Sequence, residues 1–143
     1  MSAATVVIVP AALVGELVAG LHHELAAAGA ALALASGDPR AVEHPGVCRR
    51  PLARLDAARG LLAELRWTAD GRPVPVGMAA HGAALITALR GQAIAHAEEL
   101  RRPAGRVDLR AQADVVHALW ELLAEAQVTV ARASEIGGPE CVA

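Results

Sequence analysis

Six histidines and two cysteines are the residues of this 143-residue chain best suited to holding a metal or moving a proton. Their spacing decides what each could do. Asp114, His117 and Glu121 stand three and four residues apart, with Glu125 a turn further. On a helix that spacing sets an imidazole between two carboxylates on one face, a donor set that suits zinc, iron or manganese. The same face lies opposite a stripe of leucine and valine, so a solvated polar face with a favourable His–Glu pair is the simpler expectation. His22 and His23 are adjacent. Successive helical residues diverge by about 100°, so only one of the two can face a given ion. His23, on the stripe of Glu16 and Gly20, would need a partner such as His117 from another helix. His81 and His96 each fall four residues before a leucine, Leu85 and Leu100, on an otherwise apolar face. A buried imidazole must find a hydrogen-bond partner, so a satisfied core histidine is expected at both. An internal polar pocket or pH-sensitive seam is the functional alternative.

Nucleophilic chemistry has few candidates. Ser2, Ser36 and Ser134 sit near element ends, Cys141 is in the tail, and there is no Gly-x-Ser-x-Gly elbow. Cys48 precedes Arg49 and Arg50, whose charge favours a thiolate, but a loop cysteine beside arginines is expected to be incidental. Gly77, Gly82 and Gly91 are too far apart to cradle a phosphate, and the chain contains no lysine for a P-loop. No catalytic residue and no cofactor are therefore expected. Arg49, Arg50, Arg54, Arg59 and Arg66 form the one basic group, and arginine binds phosphate bidentately. Against a nucleic-acid role stand Asp56 and Glu64 within the same helix, a net charge of -2, and the lack of a helix-turn-helix pattern.

These side chains must be positioned by helices. Leu13, Leu17, Leu21, Leu25 and Leu32 recur at helical spacing from about Ala11 to Ala35, until Gly37-Asp38-Pro39 interrupts. Residues 43–50 read as a loop around Pro45-Gly46, and Pro51 suits the first position of a second helix carrying Leu55, Ala58, Leu62 and Leu65 and ending near Trp67. A third helix from about Met78 to Arg102 lines up Leu85, Leu89, Ala93 and Leu100. Asp108 is placed to cap a fourth, whose Val115, Val116, Leu119, Leu122, Leu123, Ala126 and Val130 make the clearest amphipathic pattern. The β-branched run 5–9 and the proline-interrupted 73–76 are extended, and pair as a short two-stranded sheet if they meet. The fold class is thus mainly α, an antiparallel bundle of about four helices over residues 1–136, with 137–143 as a flexible tail.

Composition narrows the function classes. There are 35 Ala and 18 Leu, no Phe, Tyr or Lys, and two Trp as the only aromatics, so no base-stacking platform for single-stranded nucleic acid exists. Residues 40–72 hold seven Arg against four acids. The apolar run from Ala3 stops at Glu16 and the next, Leu25 to Gly37, is also short of the ~20 residues of a spanning helix, so no membrane partner is expected. The first Arg is Arg40, which leaves no basic n-region of a secretory signal.

Val9-Pro10-Ala11-Ala12-Leu13, Arg50-Pro51-Leu52-Ala53-Arg54-Leu55-Asp56 and the helix ending in Trp67 resemble small helical proteins of GC-rich actinobacteria for which no activity is known. The resemblance covers most of the chain. It implies a bacterial cytoplasmic protein and carries over no functional residue.

The first helix is apolar nearly all round, which in a small protein suggests a central helix or a subunit interface. Together with the many small residues, this favours a cytoplasmic protein acting by protein–protein association, as a homodimer. A small-molecule- or metal-binding bundle using His23, His81, His96 or His117 is the alternative, and a DNA-binding regulator using the second-helix arginines a third.

Overall fold

The computed structural model describes residues 5–68, 71–102 and 108–142, with side chains described for 5–66, 71–102 and 108–134. The side chains of Trp67 and Cys141 lie outside the described residues. Strand β1 (Val6–Val9) leads through Pro10 into helix α1 (Ala11–Gly37), and strand β2 (Val74–Gly77) leads directly into α3 (Met78–Arg101). Between them lie two 3-10 turns, Pro39–Ala41 and Pro45–Cys48, and α2 (Arg49–Thr68); α4 (Leu109–Val142) follows. The mainly α bundle is therefore observed, together with the short antiparallel sheet. Its register pairs Val7 with Val76 and Val9 with Val74, and these four valines point into the core. Pro75, opposite Ile8, is tolerated because a two-stranded sheet has only edge strands.

Contacts between the helices show them running antiparallel. Between α2 and α1, Arg54 meets Glu24 while Leu62 and Leu65 line one cavity with Val18. Gln92 and His96 meet Glu16 while Ala88 meets Gly20, so the number falls along α3 as it rises along α1. Val130 lies beside Gly82 and Gln112 beside His96, which sets α4 against α3.

The central helix is α3, not α1. It packs on α1, α2, α4 and β2, whereas α1 packs chiefly on α2 and α3. The reason is the width of the buried face: Gly82, Ala84, Leu85, Ala88, Leu89, Gln92 and Ala93 wrap α3 over about half its circumference. On α1 only Leu13, Leu17, Gly20, Leu21 and Ala28 are buried.

Several boundaries differ from the sequence reading. Residues 43–50 are not a plain loop, because Pro45 opens a 3-10 turn that continues into α2, leaving Pro51 third in that helix, where its missing N–H still costs nothing. The backbone stays helical to Val142 through the 137–142 stretch expected to be a tail. Glu16 and Glu24 do not interrupt α1, so among the described residues α1 is the one helix long and apolar enough to cross a membrane by length and composition. Asp108 caps α4 as expected, its Oδ1 accepting from the backbone N–H of Arg110 and of Ala111, each at 3.1 Å.

Candidate functional site

A polar junction joins α1, α3 and α4 at His96. Its Nε2 lies 2.6 Å from Glu16 Oε2 across the helix interface, and the same carboxylate oxygen accepts from Gln92 Nε2 at 2.7 Å. On the other side of the ring, Gln112 Nε2 bonds to His96 Nδ1 and donates its second hydrogen to Glu99 Oε2 at 2.8 Å. This network assigns the tautomer: Nδ1 accepts from Gln112, so Nε2 carries the proton that Glu16 accepts. Gln92 is only 5% exposed, and its Oε1 accepts from no donor among the described residues.

The electrostatics follow from the same contacts. Partial burial alone would raise the Glu16 pKa, but hydrogen bonds from His96 and Gln92 counter it, and the carboxyl is held below its ordinary value. Gly20 makes the approach of α1 to α3 feasible: a Cβ there would stand 2.7 Å from the Ala88 carbonyl oxygen and 2.9 Å from Gln92 Cγ.

Chemically, this junction is a closed hydrogen-bonding system. Both ring nitrogens of His96 are in use, so metal ligation or general-base action would require breaking a bond to Glu16 or Gln112. His81, the other histidine of the same face, is separate; its Nε2 lies 3.9 Å from Glu64 Oε1 and its ring packs near Gly60. The structure does not join His81 and His96 in one pocket.

The remaining candidates are dispersed. His117 Nε2 lies 3.0 Å from Glu121 Oε1, and both side chains are about three-quarters exposed, with Asp114 exposed on the same face. Among the described residues no group of three or more His, Cys, Asp or Glu is arranged to hold a metal ion. His23 is exposed on the outer side of α1. Of the five arginines, Arg49, Arg50, Arg59 and Arg66 are exposed, while the Arg54 Nε donates to Glu24 Oε1 at 2.6 Å. Glu24 holds the Arg54 guanidinium above its usual pKa, and that bond occupies the Nε edge of Arg54, so that only its Nη groups remain for another anion.

Sequence spacing missed Gln92, Glu99 and Gln112, and saw Glu16 only as a neighbour of His23. Two signals pointed to them. Glu16 is the lone charge among residues 11–23, and Gln92 stands four residues before His96 on the face of Leu85 and Leu89.

The other prominent feature is what α1 leaves uncovered. Ala12, Gly15, Ala26, Ala30, Ala33 and Leu34 form its outer face, with His22 and His23 midway, and Glu16 at its edge is drawn to His96. It runs nearly the whole helix, about 40 Å at 1.5 Å per residue. On α4, Leu109, Ala113, Trp120 and Ala124 form a second exposed apolar strip. No family model, curated protein or solved structure matches this chain.

Proposed function

We propose that the protein works by self-association, as a homodimer whose contact is the outer face of α1. The observation that carries this reading is an exposed face of mostly alanine and glycine, with His22 and His23 at its middle, along a helix whose opposite side is tied into the bundle. Small side chains let two helix backbones approach closely, and an antiparallel pairing of two copies makes one patch complementary to itself, as a two-fold interface requires. Glu16 and Glu24, the two charges of α1, are turned to the flank and inward, where His96 and Arg54 hold them.

Size sets the expected strength. A face about 40 Å long and 10 Å wide gives roughly 400 Å² per protomer, below the ~800 Å² per partner of a standard stable interface. The dimer is therefore weak, dissociating in about the micromolar range. Sedimentation velocity across a concentration series tests it. A shift from monomer to dimer with concentration supports the reading, and a monomer throughout removes it. Co-flotation of the protein with lipid vesicles would instead assign the α1 face to a membrane.

A further inference from the structure

We propose that the cleft bounded by α1, α2 and α3 is a binding site for a small aliphatic monocarboxylate. This site is independent of the α1 outer face and of the His96 junction. The cleft has a volume of about 190 Å³, and its walls are mostly methyl groups, from Ala53 and Ala57 of α2 and Ala83 and Ala84 of α3, with Thr87 of α3 adding one hydroxyl. Arg50 and Arg54 stand on its α2 side, one turn apart, and Glu24 reaches it from α1.

The charges make this an anion site. Glu24 is committed to Arg54, accepting from its Nε at 2.6 Å, and the Glu24 side chain is only 11% exposed. That bond uses one edge of the Arg54 guanidinium and fixes its plane, leaving the terminal Nη groups to a ligand. Arg50 makes no hydrogen bond or ion pair with any described residue. One positive charge is thus uncompensated beside an apolar wall. It sits in the first turn of α2, which holds no acidic residue, where the helix dipole disfavours a cation and favours an anion.

The walls choose among anions. Phosphate or sulfate is polar on every side: Arg50, Arg54 and Thr87 can meet some of its oxygens, but the rest would press against alanine methyls that offer no donor. A monocarboxylate is charged at one end only, so its head can pair with the arginines while its chain lies on the four alanines. A cleft of this volume has room for a short chain such as that of butyrate. A ligand that small is expected to bind with a Kd of millimolar order.

The test is ligand-detected NMR with the full-length protein and sodium butyrate at pH 7, with circular dichroism confirming that each variant is folded. Saturable binding is expected, weakened at least about tenfold in Arg50→Ala and abolished in Ala83→Leu, whose larger side chain fills the cleft from an exposed position. Inorganic phosphate at equal concentration should not displace butyrate. The proposal is overturned by non-saturable binding, by unchanged binding in both folded variants, or by phosphate competing as well as unlabelled butyrate, which would mark a general anion patch.

Discussion

His96 donates its Nε2 proton to Glu16 Oε2 at 2.6 Å, and this bond between α3 and α1 organises the only extended side-chain network seen among the described residues. Because the Glu16 carboxyl is held below its ordinary value of 4.5, its charged form is favoured by folding. The stability it contributes is fully present above that value and is lost as pH falls through the lower folded-state pKa. Glu16→Gln should therefore lower the urea midpoint at pH 7, with the gap to wild type narrowing as the pH drops below 4.5. A gap that stays constant down to pH 3 would show that the carboxylate charge contributes nothing.

At Gly20 the same two helices approach closely. Gly20→Ala improves helix propensity by up to about 1 kcal/mol, but the added methyl meets the Ala88 carbonyl, which is backbone and cannot swing aside. Overpacking of this kind costs about 1–3 kcal/mol, so net destabilisation is expected in chemical denaturation. Gly15→Ala, where a Cβ meets nothing within 4 Å, is the control and should be neutral or stabilising.

Truncating Arg54 should expose the cost of leaving Glu24 without a partner. With the Glu24 side chain only 11% exposed, Arg54→Ala strands a nearly buried carboxylate and is expected to destabilise by about 1–3 kcal/mol. The double variant Arg54→Ala with Glu24→Gln should recover part of that loss. Additive losses in the double-mutant cycle would mean that the two side chains are not coupled.

The Asp108 cap offers a prediction confined to one helix end. Asp108→Ala removes the acceptor of two backbone N–H groups and should cost about 1 kcal/mol. Asp108→Asn should retain most of it. Thermal unfolding followed by circular dichroism distinguishes the two.

Much of the fold was legible because local patterns dictated it. The leucine spacings of residues 13–21, 85–89 and 119–123 marked core faces that are buried, and the β-branched run at Val6–Val9 found its partner in Val74–Gly77. The exposure of His117 and Glu121 followed from their place opposite that leucine stripe. What stayed hidden depended on which helices touch. Periodicity shows that His96 lies on a buried face, but not that Gly20 lets α1 come near enough for Glu16 to reach it. The same limit left α1 readable as either the core helix or an interface helix, and only the packing of α3 against every other helix removed the first option.

The measurement that bears most directly on self-association is sedimentation velocity of wild type, Ala26→Glu and Trp120→Glu, each from about 1 to 200 µM to bracket a micromolar Kd. Both positions are exposed, so the substitutions change surfaces and not the core. A concentration-dependent dimer for wild type and Trp120→Glu, with Ala26→Glu held monomeric, is the predicted result. A monomer at every concentration, or a dimer broken by Trp120→Glu and untouched by Ala26→Glu, would contradict the assignment of the interface to α1.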